Sequence, residues 1–308
     1  MIGIKAIGTF LGPDRVSNLD RSEQAGKDHD FISHKIGFET LARLPANQET
    51  SDMCVAAFSD LQKTSGSRLD DIDCLIVCTQ NPDAYGLPHT SAVVHKKLEL
   101  GHDVACFDIS LGCSGYVYGL SVITAFMQAN SLRSGVLITA DPYSRIIDPE
   151  DWATELLFGD GATATWIGED PVYTCRPAMF GSNGALGHSI CVTEPAGKLA
   201  MLGSNVFKFS MTVVPEQITR YLQRESLSPE DIDVFLFHQG SRFIVENLAK
   251  KLSLPADKVP FEADQTGNTV SSSLPLLLVK RMQAPKPRIL MSGFGVGLSW
   301  ATMILDSH

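Results

Sequence analysis

The feature that most constrains the fold is an internal repeat. The segment Asp71-Ile-Asp-Cys-Leu-Ile-Val-Cys-Thr-Gln80 recurs as Asp231-Ile-Asp-Val-Phe-Leu-Phe-His-Gln239. Val104-Ala-Cys-Phe-Asp108 recurs as Val259-Pro-Phe-Glu262, and Gly135-Val-Leu-Ile-Thr139 as Arg288-Ile-Leu-Met-Ser292. Gly161-Ala-Thr-Ala-Thr-Trp166 recurs as Leu298-Ser-Trp-Ala-Thr-Met303. Four matches in the same order with comparable gaps point to a duplicated unit. Each segment is a short apolar run of the kind that forms a buried strand. Between them, apolar residues at helical spacing predict helices over 50–65, 113–130, 215–225, 243–252 and 270–282. Strands alternating with helices imply an α/β fold with helices packed on mixed sheets. The expected halves are residues 1–168 and 169–308.

Composition removes several function classes. Of the 308 residues, 44% are hydrophobic and 19% charged, the balance of an ordered globular chain. A net charge of −10 without any basic tract argues against nucleic-acid binding. An acidic protein partner could dock only on a local basic patch. Seven cysteines, an odd number scattered through apolar segments, fit reduced thiols better than a disulfide framework. The histidines show no metal-ligand spacing beside Cys74 and Cys78, so no metal is expected. The N-terminus lacks a signal peptide's apolar core and no run reaches membrane-spanning length, so a cytoplasmic location is expected.

The repeat also indicates where chemistry would gather. Cys113 stands where the strand from Val104 stops and the helix through Val117, Leu120, Ile123 and Met127 begins. A helix start offers unpaired N–H groups and partial positive charge, which favour a thiolate. Gly112 and Gly115 permit a tight turn and close approach of a substrate. The bland alternative is a buried, inert cysteine. His238 ends the strand predicted over 233–237, and Asn268 lies in Gln265-Thr-Gly-Asn268-Thr-Val, the second unit's strand-to-helix junction. Alone, His238 reads as a satisfied core histidine and Asn268 as a turn former. Three such residues at strand ends, where α/β folds build their sites, outweigh those readings.

With these residues in view, the chain resembles the thiolase-fold condensing enzymes, most closely the β-ketoacyl-acyl-carrier-protein synthase III branch. The resemblance runs nearly end to end. It rests on Gly112-Cys113-Ser-Gly, Phe158-Gly-Asp-Gly-Ala162, Asn205-Val-Phe-Lys208, His238-Gln239, Gly267-Asn268-Thr and Phe294-Gly-Val-Gly-Leu-Ser-Trp300. It implies a duplicated α/β/α/β/α layered fold with mixed five-stranded sheets, normally a homodimer. It implies that Cys113 carries an acyl group as a thioester. His238 and Asn268 would hold the carbonyl of a malonyl-type extender as carbon dioxide departs. Two preorganised donors suit the negative charge left on that oxygen, and a neutral histidine can supply one of them. The backbone N–H groups of Cys113 and Val296 would form the oxyanion hole; the family usually carries Gly where Val296 stands. Phe158-Gly-Asp-Gly161 reads as plain turn chemistry near the site. Phe294-Gly-Val-Gly297 is not a dinucleotide fingerprint, since it is expected to open a last strand and not a helix.

The departures from the family cluster at the substrate entrance. Phe31 stands where a Trp usually stacks on the CoA adenine, Lys35 where an Arg stands, and Trp152 where a second Arg faces that adenine. Such a clamp can be rebuilt with its aromatic and basic partners exchanged. Phe243 replaces a basic residue, with Arg242 adjacent, and Phe207 of the Asn205–Lys208 motif belongs to the implied substrate channel. Lys208, Arg242, Lys250 and Lys251 are the candidates for docking an acyl carrier protein. Leu87 matches a loop residue that reaches across a dimer to the acyl pocket. Being smaller than the usual Phe, it suggests a primer longer than acetyl. The implied substrates are acyl-CoA or acyl carrier protein thioesters, with no cofactor. The expected activity is decarboxylative condensation. Acyl transfer from Cys113 to an oxygen or nitrogen nucleophile is the alternative, and a noncatalytic partner subunit is disfavoured by the intact Cys-His-Asn set.

Overall fold

The computed structural model describes residues 1–66, 72–193 and 197–307; Asp71, which opens the first repeat segment, lies outside the described residues. The first half comprises β1 (Ile2–Leu11), β2 (Asp14–Ser17), β3 (Thr40–Arg43), α1 (Thr50–Ser65), β4 (Cys74–Cys78), α2 (Thr90–Lys97), β5 (Ala105–Ile109), α3 (Gly115–Ala129), β6 (Ser134–Asp141), α4 (Trp152–Glu155) and β7 (Gly161–Glu169). The second comprises β8 (Tyr173–Cys175), β9 (Met179–Ser182), β10 (Ile190–Thr193), β11 (Lys198–Met201), α5 (Gly203–Arg224), β12 (Val234–Phe237), α6 (Arg242–Lys251), α7 (Ser273–Val279), β13 (Arg288–Gly295) and β14 (Ser299–Ser307).

The first half forms a mixed sheet in the order β1-β7-β6-β4-β5, with β4 parallel to both β5 and β6. The second runs β12-β13-β14-β8, with β9 also pairing β14 and only β12–β13 parallel. Counting β9, each sheet has five strands, and the two meet edge to edge at the single pair Ile4↔Tyr173. Between the sheet faces lie α3 and α7, sharing one core of Ile76, Tyr116, Leu120, Ile123, Leu236, Leu274 and Met303. The outer face of the first sheet is covered by α1, whose apolar stripe Met53, Cys54, Ala57, Phe58, Leu61 follows helical spacing. The second sheet's outer face packs on α5 and α6. The result is the expected α/β/α/β/α layering.

Two local expectations differ. Residues 259–262, the predicted echo of β5, form no strand, and Pro260 has no N–H to give a ladder. The helix expected to begin at Pro215 begins at Gly203 instead, and the buried Pro215 lies inside α5. Proline at a helix start is the common pattern, but here burial of Phe209, Val214, Ile218 and Leu222 on one stripe carries the helix through it. The helix predicted over 270–282 is shorter, a tight 3-10 turn at Val270–Ser272 followed by α7.

Candidate active site

Cys113 follows β5 in a short loop and precedes α3, with Ser114 as the helix N-cap position. It is 7% exposed and packs against the end of β13. A Cβ on Gly295 would stand 2.7 Å from Cys113 Sγ, so glycine there is what lets the thiol lie against the strand. Ser114 Oγ and Ser299 Oγ are 2.7 Å apart, and Ser299 donates to the Val296 carbonyl at 3.0 Å, tying the β13–β14 turn to the start of α3. Burial pushes the Cys113 thiol up to about 12, while the backbone N–H groups of Val296 and Cys113 pull it down. The helix start therefore does not yield a free thiolate, because desolvation outweighs the partial charge of a few N–H groups. The same two N–H groups are those expected to meet an oxyanion.

The second half supplies the opposing groups. His238 follows β12 and is 3% exposed; its Nδ1 lies 2.7 Å from Ser273 Oγ at the start of α7. Burial lowers its pKa to about 3, so the ring is neutral. Gly240 lies on the Nε2 side, and the Phe294 ring packs edge-on at 5.7 Å. Asn268 is 5% exposed, and its Oδ1 accepts the Val270 N–H at 2.9 Å, which turns the amide N–H₂ end to the cavity. The Asn268 backbone is gripped by the Phe158–Gly161 turn: its N–H donates to Leu157 O at 2.8 Å and its carbonyl accepts from Gly159 N–H at 3.0 Å. A Cβ on Gly159 would meet Thr266 O at 1.8 Å, so the approach requires glycine. This turn thus does more than start β7.

Cys113, His238 and Asn268 line one apolar cavity of about 420 Å³. Tyr143, Phe158, Ile190, Phe294 and Val296 form further walls, and the half-buried Phe207 and Phe243 stand near the exposed Gly203 and Ser204. The Phe207 and Phe243 rings stack at 5.2 Å, and Lys35 Nζ lies 4.7 Å from the Phe243 ring. Trp152 carries the Arg21 guanidinium on its ring at 5.7 Å, and Phe31 carries Lys27 Nζ at 5.0 Å. Phe31, Lys35 and Trp152 do not themselves line the cavity; each takes part in an aromatic–cation pair, Lys35 with Phe243, which does line it. Arg242 is engaged locally: its guanidinium packs on Phe261 at 4.4 Å and Nε donates to Ser33 O at 3.0 Å. Lys208, Lys250 and Lys251 are exposed. Leu87 does not line this cavity; it is 86% exposed on a protruding turn beside Tyr85. Among the described residues no group of side chains has metal-ligand geometry, and no helix is long and apolar enough to cross a membrane.

Sequence reasoning missed the residues behind the site. Asp141, at the end of β6, is fully buried and accepts the Gln80 N–H at 2.8 Å; desolvation raises its carboxyl to about 7. The Tyr143 hydroxyl donates to Gln80 Oε1 at 2.9 Å. The run Ser271-Ser-Ser273, three residues past Asn268, was the one available signal, and it is indistinguishable in sequence from a helix cap.

Two family profiles match the chain, 3-Oxoacyl-[acyl-carrier-protein (ACP)] synthase III over residues 107–184 and its C-terminal counterpart over 222–307. A Beta-ketoacyl-[acyl-carrier-protein] synthase III of Deinococcus deserti is 32% identical over 97% of this chain and 89% of its own. A crystal structure of a 3-oxoacyl-(acyl-carrier-protein) synthase III superposes with a TM-score of 0.93 at 30% identity, covering 99% of both chains. The priming beta-ketosynthase of the R1128 polyketide biosynthetic pathway superposes with a TM-score of 0.88 at 25% identity, covering 100% of this chain and 97% of that one. Fold, relatives and a cavity lined by cysteine, histidine and asparagine agree: the chain belongs to the 3-oxoacyl-[acyl-carrier-protein] synthase III family.

Proposed function

We propose that the protein condenses an acyl thioester with a malonyl-type thioester, releasing carbon dioxide and giving a β-ketoacyl product. Cys113 Sγ attacks the primer carbonyl; its proton leaves with the departing thiol, and the oxyanion is met by the N–H groups of Cys113 and Val296. The second thioester then binds with its carbonyl oxygen toward His238 and Asn268. His238 Nδ1 lies 2.7 Å from Ser273 Oγ; we assign Ser273 as the donor of this bond, which keeps the ring proton on Nε2 as a donor into the cavity. Loss of carbon dioxide moves an electron pair onto that carbonyl, and the two donors stabilise the enolate. Its carbon attacks the acyl-Cys113 carbonyl, the C–S bond breaks, and the thiolate takes up a proton from solvent, one per turnover.

What carries this reading is that Cys113, His238 and Asn268 line one apolar cavity. Retention of Asn268 favours condensation over transfer to an oxygen or nitrogen nucleophile, which needs a base more than an enolate clamp. The primer arrives from acyl-CoA or acyl carrier protein, with Phe31, Lys35, Trp152, Phe207 and Phe243 along its path and Lys208, Lys250 and Lys251 available to an acidic carrier. A homodimer is supported by β5 as an open sheet edge and by the exposed tip at Tyr85 and Leu87, suited to walling a partner's acyl pocket. Cytoplasmic location accords with the reduced cysteines.

The test is intact-protein mass spectrometry after incubation with a panel of acyl-CoAs. One acyl group is expected on wild type, mapped to Cys113, and none on Cys113→Ala. Asn268→Ala is expected to acylate normally while malonyl decarboxylation slows about a hundred- to a thousand-fold. An acyl group on another cysteine, or full condensation by Asn268→Ala, would refute the assignment.

A further inference from the structure

Val270, two residues past Asn268, has φ of 54°, in the left-handed region that a β-branched side chain avoids. Its N–H is the one that aims the Asn268 amide. A costly turn therefore sets the direction of a proposed catalytic donor, and something must hold it. Three consecutive serines follow, two tied to β6 and the third to His238. Ser271 donates through both its hydroxyl and its N–H to Asp141 Oδ2. Ser272 Oγ lies 2.8 Å from Thr139 Oγ1 and 3.1 Å from Gly161 O, and Ser273 holds His238. Asp141, Ser271 and Ser272 are at most 1% exposed, so no water competes for these bonds. The other oxygen of Asp141 takes the Gln80 N–H at 2.8 Å and the Thr79 hydroxyl at 3.4 Å.

We propose that Asp141 of the first half, acting through Ser271, is a positioning residue for the decarboxylation step: it holds the strained Val270 turn and so presents the Asn268 amide to the malonyl carbonyl. The inference rests on Asn268 being that donor. It predicts that the two half-reactions separate, because Cys113 and its oxyanion N–H groups are held by other bonds, those of Ser114, Ser299 and the end of β13.

The experiment uses the full-length protein, the straight-chain acyl-CoA that loads wild type fastest, and malonyl-CoA. Ser271→Ala is expected to lower kcat for carbon dioxide release about ten- to a hundred-fold, the scale of a sub-ångström to ångström misplacement. KM for malonyl-CoA and the rate of Cys113 acylation should stay within about two-fold. The second variant is Ser271→Ala combined with Val270→Gly. Glycine adopts the left-handed turn without strain, so turnover should recover to within about three-fold of wild type, a non-additive result that a general loss of packing would not give. Undiminished turnover in Ser271→Ala, an equal loss in acylation, or no recovery in the double variant would each overturn the anchor. Asn268→Ala run beside them separates the two failures. If it decarboxylates normally, the reading of Asn268 falls and the anchor with it; if it fails while Ser271→Ala does not, the anchor alone falls.

Discussion

At the scale of single residues, environment decides what each group can do. His238 and Asp141 are both buried and shift in opposite directions, to about 3 and about 7. For His238 the folded value lies below the ordinary one near 6.5, so its contribution to stability is complete above about pH 6.5 and is lost as pH falls toward 3. For Asp141 the folded value is raised, so its contribution is present below about pH 3.9 and is lost as pH rises through 7. Between about pH 4 and 6.5 the two slopes oppose each other, so only a variant resolves them. His238→Gln should lose less stability than wild type as pH falls below about 6.5, measured by urea unfolding at a series of pH values. A constant difference between the two proteins from pH 8 to 4 would mean that His238 is not desolvated as described. Cys113 and His238 were legible in the sequence because each follows a strand and precedes a helix; Asn268 was legible from Gly267-Asn268-Thr, since the strand expected before it does not form. Asp141 and Ser271 were not, since their bond spans 130 residues and neither occupies a motif.

At the scale of elements, periodicity placed α1 residue for residue and α6 to within one residue. It failed at the start of α5, where a proline normally found at a helix start lies in the interior, and at 259–262, where apolar residues pack without pairing. The entrance was only half legible: the sequence showed aromatic and basic residues exchanged, but not which would pair. Trp152 belongs to a small cluster with Ile36, Phe38, Leu41 and Leu156, and Arg21 on its ring is itself bound to Glu155 at 2.6 Å. A planar group stacked on that aromatic-cation pair would gain roughly 0.5–2 kcal/mol. Trp152→Ala should therefore raise KM for acyl-CoA about three- to thirty-fold with turnover at saturation nearly unchanged. Carrier-delivered substrate, lacking the adenine, should be unaffected. Equal losses with both donors would show that Trp152 only supports the fold.

At the scale of the whole molecule, the repeat foretold two similar sheets but not how completely they share a centre. The α3 helix of the first half packs on β13 and β14, and α7 of the second packs on β1 and β7. Residues 1–168 and 169–308, which we propose as the two repeat units, should therefore fail to fold when produced separately. Full-length protein should unfold in one transition seen alike by far-ultraviolet circular dichroism and tryptophan fluorescence. Two separated transitions, or a soluble folded half, would contradict this. The same repeat has a consequence for how the active site is apportioned. The junction after β5 and its counterpart in the second half, where Asn268 stands, line one cavity. Two identical unlinked copies would have to carry the same residue at both junctions, either two nucleophiles or two enolate donors. Joining the copies in one chain breaks that symmetry: one junction can specialise in holding the acyl group and the other in generating the carbanion that attacks it.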